Sequence, residues 1–464
     1  MSDYSLDRFR GKRILIWGYG REGKSTEDFF KAHPVAASVE VSEQKPDEID
    51  LSPYDVVFKS PGIRLKYPTL EGFALAQSDQ RGLDEVNDGR GDHFRDEWFD
   101  KLTSQTEFFI SCFRDRVIGI TGTKGKSTTT SLLWHVLDTC FRNRGRMDAG
   151  DNYPDTLPTN AYLVGNIGVP CLDYFDDMAN GNGVAVFELS CHQLAYSRVS
   201  PHVAIFLNLY EDHLDFYGDR ATYFMAKRHI TEFQTERDCL YLGEDVPELT
   251  TNATVRTVTE RYTGQMKLLG EHNRLNAAFV RETAIGCFGL PMEYVDRAIS
   301  EFTGLSHRLE YIGSYGGIRY YDDSISTIPE ASLQAIDSVP GVGTVLIGGM
   351  DRDIDYTPLV RAIPKMKDIN FICMYASGER ICRELTGGVD AWLPGRADAR
   401  ESSAPISESL KNVFYVPDLE AAVELARVVT PVDRACVLSP AAASYGYFKN
   451  FEERGDVFAS LVKQ

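Results

Sequence analysis

No window of the 464 residues approaches the ~18 consecutive apolar residues of a membrane-spanning helix. Met1 to Arg10 is polar and lacks the apolar centre of a secretory signal, so a cytoplasmic location is expected. CxxC pairs are missing as well. The nine cysteines, at 112, 140, 171, 191, 239, 287, 373, 382 and 436, are odd in number and scattered, which argues against a disulfide framework or a structural zinc site. They read as reduced core thiols. Basic surplus is also absent: 49 Lys and Arg face 68 Asp and Glu, a net charge of −19. Nucleic acid and anionic membranes need an extended basic surface and are disfavoured as partners, so any polyanionic ligand must find locally positive ground. There is no internal repeat and no low-complexity tract.

What is present is a series of α/β units. The chain exceeds the ~250–300 residues at which one core stops growing, so two or three domains are expected. Lys12 to Trp17 is a compact apolar run before a glycine turn, and a helix-like segment Lys24 to Ala32 follows. Val56 to Phe58 and the turn Ser60-Pro61-Gly62 extend that region, and the stretch from Gln77 to Lys101 is polar and acidic, a surface excursion or linker. A second series of strands runs through Val117 to Ile120, Tyr162 to Val164, Val184 to Phe187 and Val203 to Leu207. Helix-like stretches between them imply a parallel sheet covered by helices. A third region opens after His307-Arg308, with strands at Ile318 to Tyr321, Thr344 to Ile347 and Phe371 to Met374 and a closing helix Phe451 to Val462. The expected architecture is α/β in three domains, 1–105, 106–305 and 306–464: a Rossmann-like N-terminal domain, a central P-loop domain and a C-terminal α/β domain.

Two glycine loops follow strands. Gly18-Tyr19-Gly20-Arg21-Glu22-Gly23 fits G-x-G-x-x-G, whose glycines let the backbone approach a pyrophosphate at a helix N-terminus. A dinucleotide would want an acidic residue ~20 positions on, which Glu40 or Glu43 could supply; another nucleotide diphosphate fits the loop equally well. The second loop, Gly122-Thr123-Lys124-Gly125-Lys126-Ser127-Thr128, also opens a helix. Its backbone N–H groups can cradle phosphates, with Lys126 reaching the terminal ones and Ser127 placed to ligate Mg2+. The longer G-x-x-x-x-G-K form would need glycine at Ile120, so the loop is the shorter G-x-x-G-K-S version. Glu188 ends one strand and His213 lies in an acidic cluster just beyond another, at the sheet edge where α/β folds bind ligands. Both are candidate Mg2+ ligands, the carboxylate oxygen being preferred by so hard an ion.

With these residues assembled, the chain resembles the Mur ligase family, and among its members the glutamate-adding ones. The resemblance runs through GYGREG and SPGI, GTKGKST, GNIGVP (165–170), ELSCHQL (188–194), NLYEDHLD, YFMAK (223–227), GEHNRLNAA (270–278), HRLE (307–310), DDSIST (322–327), Gly348-Gly349 and LSPAAASYGYFKNFEERG (438–455). It implies an ATP-dependent ligase that joins glutamate to UDP-N-acetylmuramoyl-L-alanine through an acyl phosphate, in cytoplasmic peptidoglycan precursor synthesis. No nucleic acid, no membrane span and a monomeric state are expected with it.

Residue by residue, the resemblance implies that Gly20, Arg21, Glu22, Ser60, Pro61 and Gly62 lie near the phosphates of the UDP substrate, which displaces the dinucleotide reading. Gly122 to Thr128 would bind MgATP, with Glu188 and His213 at the metal and Asn166 and His192 close to the reacting groups. Asn273, Arg308 and Asp323 match positions that contact ATP, and closure of the third domain would complete the site. Lys227 matches a lysine carbamylated by CO2, which turns a cation into an anionic oxygen ligand and needs a partly neutral amine.

The sequence departs from the family pattern where the incoming amino acid is recognised. The family's D-S-K-A-T-N is here Asp323-Ser324-Ile325-Ser326-Thr327-Ile328, without the lysine, and Arg352 stands near where a lysine usually follows the paired glycines. The planar fork of arginine binds carboxylates differently from an ammonium. Thr327, Arg352, Ser444 and Phe451 are the candidates for that pocket, and the amino acid added could be L-glutamate or another rather than D-glutamate. A nucleotide-binding protein without turnover would be expected to lose Lys126, Glu188, His213 or Lys227, and all four are present.

Overall fold

The computed structural model describes residues 6–65, 99–143, 157–210, 214–247, 249–387 and 405–464. These form two compact units: residues 1–265 with 272–300, and residues 266–271 with 301–464.

The first unit holds two sheets. The smaller contains β1 (Arg13–Trp17), β2 (Ser38–Ser42), β3 (Val56–Lys59) and β4 (Leu102–Thr103), all parallel, in the order β2-β1-β3-β4. The larger contains β5 (Val117–Thr121), β6 (Asn160–Gly165), β7 (Gly183–Glu188), β8 (Val203–Phe206), β9 (Cys239–Gly243) and β10 (Thr254–Val258). It is also wholly parallel, in the order β10-β9-β8-β5-β7-β6. Every residue of β5 and β7 is buried, as expected of parallel strands covered by helices on both faces.

Both sheets of this unit share one core. Phe9, Phe29 and Phe58 of the N-terminal part pack with Phe108 and Phe175, the Phe29 and Phe175 rings lying 4.9 Å apart edge to face and Phe108 stacking on Phe175 at 5.6 Å. Such pairs add about 0.5–1.5 kcal/mol each beyond their buried area.

The second unit is built on β11 (Glu310–Tyr315), β12 (Ile318–Asp322), β13 (Val342–Ile347), β14 (Asn370–Met374), β15 (Val413–Val416) and β16 (Ala435–Leu438). Their order is β11-β12-β16-β13-β14-β15, with β11 antiparallel to β12 and the other pairs parallel. Apolar clusters lie on both faces, one including Val345, Ile347 and Phe371, the other Leu346, Ile372 and Phe458.

Eight expected strands form within a residue or two of their expected limits, the run Val56 to Phe58 forms a ninth, and the helix Phe451–Val462 matches its expected range. The first helix begins at Arg21 rather than Lys24, so Arg21 and Glu22 stand in its first turn. All nine cysteines are free thiols. Among the described residues no helix is long and apolar enough to cross a membrane. The expected polar excursion at 77–101 lies outside the described residues as far as residue 98.

Candidate active site

The phosphate-loop candidate leaves β5 at Thr121 and enters the helix Lys126–Asn143. The first amides of a helix have no intrahelical acceptor, so they form a donor set facing the loop. Two glycines make the turn possible. Gly122 has φ 156°, and Gly125 has φ 83° with a Cβ there meeting Asn276 Oδ1 at 2.7 Å.

Asn208, just past β8, holds the loop from one side. Its Oδ1 accepts from Thr123 N at 3.1 Å and from Lys124 N at 2.8 Å. Thr123 is pinned further by its hydroxyl, which donates to Tyr210 O and accepts from Tyr223 Oη. Lys126 Nζ folds over the loop, donating to Gly122 O at 3.0 Å and Thr123 O at 3.1 Å. Ser127 is half-buried beside it and Thr128 is buried.

Lys227 reaches the same loop from the helix Arg220–Glu232. It is buried, its Nζ donates to Gly122 O at 2.8 Å, and it lies 4.8 Å from the Tyr223 ring centroid. The four-residue spacing of Tyr223 and Lys227 puts both on one helical face.

Strand pairing brings in Glu188, because it pairs with Ile120 at the end of β7, two residues before Gly122. Its side chain is fully buried. Oε1 accepts from Asn166 Nδ2 at 2.7 Å, while Oε2 is buried with no hydrogen-bond partner among the described residues. An orphaned carboxylate oxygen of this kind costs several kcal/mol unless a cation or donor meets it. A hard oxygen donor left open beside a phosphate loop fits a magnesium ion, as does the neighbouring hydroxyl of Ser127. Asn166 is fixed through its backbone N–H, which donates to Glu188 O at 3.1 Å. His192 sits in the short helix Cys191–Leu194, with Nδ1 3.0 Å from Tyr217 Oη and its ring stacked on that tyrosine. His213 lies outside the described residues.

The N-terminal glycine loop is closed by Ser60, whose hydroxyl donates to Gly18 O at 2.8 Å. Gly23 lets the helix sit on the strand, since a Cβ there would come within 2.2 Å of Gly18 O. Gly20 faces open space and Gly62 is exposed, with Pro61 half-buried between Ser60 and Gly62. Asn273 is buried in the helix Glu271–Phe288, its Oδ1 accepting from Asn276 Nδ2 at 2.9 Å.

In the second unit, Asp323 follows β12 and is buried, which raises its pKa to about 6 against the lowering pull of Ser326, Ser439 and Arg308. Arg308 is half-buried, and its Nε has no hydrogen-bond partner among the described residues. His307, beside it, has φ 62°, and its Nδ1 lies 2.8 Å from Asp322 Oδ2, which raises the imidazole pKa. Thr327 is half-buried, Arg352 is exposed, and Ser444 is buried. Phe451 O accepts from Ser324 Oγ at 2.8 Å.

Sequence reasoning missed the residue that organises these loops. Arg454 is fully buried in the helix Phe451–Val462, where loss of solvent brings its pKa down to about 10 and leaves it charged at neutral pH. It donates to Ser324 Oγ at 3.0 Å, Ser324 O at 2.8 Å and Ala442 O at 3.0 Å. A Cβ on Gly349 would come within 3.0 Å of its Nη1. One guanidinium therefore joins two loops that carry candidate residues and packs beside a third. Removing it would take the guanidinium from two buried carbonyls and leave a large cavity, so Arg454→Ala is expected to destabilise the second unit by about 3–5 kcal/mol. Urea unfolding measures this, and a loss under 1 kcal/mol would contradict the assignment.

Comparison with known proteins places these features in a family. A model described as the Mur ligase middle domain matches residues 120–263. A UDP-N-acetylmuramoyl-L-alanine--L-glutamate ligase of Salinispora tropica is 31% identical, the match covering 99% of this chain and 99% of that protein. A UDP-N-acetylmuramoylalanine--D-glutamate ligase of Aquifex aeolicus is 29% identical over 97% of this chain and 98% of that protein. Among solved structures, the UDP-N-acetylmuramate-alanine ligase of Thermotoga maritima has the same fold, with a TM-score of 0.51 at 17% identity, covering 97% of this chain and 98% of that one. On this full-length likeness, together with the matched middle domain, the chain belongs to the Mur ligase family.

Proposed function

We propose that the protein joins glutamate to the alanyl carboxylate of UDP-N-acetylmuramoyl-L-alanine, an ATP-dependent step of peptidoglycan precursor synthesis. The observation that carries this reading is the open, buried Oε2 of Glu188, paired by the sheet beside the phosphate loop. It gives that loop a cation ligand in place. The domain roles follow the expected division, with 1–105 holding the UDP part, 106–305 the ATP and 306–464 the amino acid.

A carboxylate is a poor electrophile. Transfer of the γ-phosphoryl of ATP to it makes an acyl phosphate, glutamate nitrogen attacks the carbonyl carbon, and phosphate leaves as the amide forms. Lys126 and the amides of the helix Lys126–Asn143 neutralise the transferred phosphoryl, because positioning and electrostatics supply most catalysis in phosphoryl transfer. Ser127, Glu188 and a carbamylated Lys227 are the described residues that would hold magnesium, with His213 as a further ligand. Magnesium would supply charge neutralisation on the phosphates. Asn166 orients Glu188, and Asn273 adds a nucleotide contact. Gly20 and the turn Ser60-Pro61-Gly62 face the substrate diphosphate.

A narrower reading is that the amino acid is L-glutamate. It is favoured by Ile325 in place of the family lysine, by the exposed Arg352, and by the Salinispora relative named for the L enantiomer. Thr327, Ser444 and Phe451 would line the pocket with Arg352. The test is incubation with MgATP, UDP-N-acetylmuramoyl-L-alanine and a panel of amino acids, with products read by mass spectrometry. A product larger by one glutamate residue, made at least tenfold faster from the L form, is expected. Preference for the D form overturns the narrower reading, and no amide with any amino acid overturns the wider one.

A further inference from the structure

Arg21 and Glu22 fall in the glycine loop that would face a diphosphate, yet neither side chain is arranged to meet one. Arg21 Nη2 donates to Gly165 O at 2.9 Å and Asn166 O at 3.0 Å, and its Nη1 reaches Gly168 O. Those carbonyls belong to the loop leaving β6, the loop that carries Asn166. Glu22 Oε1 accepts from Gln193 Nε2 at 2.7 Å. Gln193 closes a capping box with Ser190, its Oε1 accepting from Ser190 N at 2.9 Å. That box starts the short helix of His192, two residues after Glu188.

A carboxylate beside a diphosphate would repel it, so Glu22 has an electrostatic reason to turn inward. Burial raises its pKa, opposed by hydrogen bonds from Gln105 and Gln193 and by the charges of Arg21 and Lys59. Lys59 is itself buried, bringing its pKa down to about 8, and it donates to Ser60 O at 3.0 Å and Ile63 O at 2.8 Å. The same buried centre therefore supports the Ser60-Pro61-Gly62 turn.

Resting on the function proposed above, we propose that Arg21 and Glu22 are positioning residues rather than diphosphate ligands. Together they clasp the two loops of the central sheet that carry Asn166, Glu188 and His192. Through this clasp the substrate-holding part sets the geometry at the phosphoryl acceptor, whereas the ATP loop 122–128 is held separately by Asn208 and Tyr223.

The test is a swap. Gln193→Glu sets two carboxylates against each other, and Glu22→Ala removes one side. The double variant Glu22→Gln with Gln193→Glu restores a reversed amide–carboxylate bond and keeps an acceptor for Ser190 N. Each single variant is expected to lower kcat for ligation at least tenfold with KM for ATP within about twofold, and the double variant to recover to within about threefold of wild type. Hydrogen–deuterium exchange of peptides covering 163–170 and 188–194 should rise in the singles and return in the double, whether or not turnover is measured. Unchanged exchange in both singles, no recovery in the double, or a KM for ATP rising in step with the loss of kcat would each overturn the clasp. A wild-type protein that makes no amide would instead overturn the proposed function, and exchange would still decide the clasp.

Discussion

Lys126→Ala is expected to reduce ADP and amide formation about 1,000-fold or more while the protein stays folded. Preorganised charges at a transferring phosphoryl are worth about 10²–10³ in rate each, and the lysine of a phosphate loop serves both binding and transfer. Its own folding role is modest. Nζ donates to Gly122 O and Thr123 O within its own loop, and the loop keeps the bonds from Asn208 and Thr123 that hold it to β8. A coupled ADP assay with a thermal melt checks this. Wild-type turnover would remove Lys126 from the phosphate site, and a melt lowered by more than about 5 °C would assign the loss to folding.

Glu188→Gln separates activity from stability in the opposite direction. The substitution keeps an oxygen for Asn166 Nδ2 but removes the charge from a buried group with one unmet oxygen. Leaving a neutral amide unpaired costs less than leaving an anion unpaired. Without metal, the variant is expected to melt at or above the wild-type temperature, yet to lose about 1,000-fold in kcat, on the order of 4 kcal/mol of barrier. Titration with magnesium should then stabilise wild type and leave the variant unmoved. If the variant is as active as wild type, Glu188 is no metal ligand; if it melts far lower, its carboxylate has a donor.

The sequence disclosed elements whose physics is local. β5, β7 and β8 are apolar runs bounded by turn residues, and each forms where expected. Several short strands escaped: β9, β15 and β16 although they are largely buried, and the edge strands β2 and β10 because their exposed residues carry no apolar pattern. β2 is half-exposed, and four of the five residues of β10 face solvent. The candidate site was legible where glycine spacing and strand ends mark it, at Gly122 to Thr128 and at Glu188. What stayed hidden were side chains whose work depends on distant partners. Lys59 follows an apolar strand like any edge lysine, and Arg454 lies on a helix between charged neighbours. Only the folded chain puts one under the Ser60 turn and the other between three loops.

The strand order of the central sheet also bears on how the protein is made. β5 hydrogen-bonds to β7 and β8, and residue 118 finds its partners at 186 and 203. Pairings so distant in sequence are slow to close, and they expose unpaired strand edges meanwhile. During synthesis the phosphate loop emerges long before its sheet exists, so a ribosome stalled short of β8 would hold a sticky, inert chain. Folding assistance would matter most in that interval.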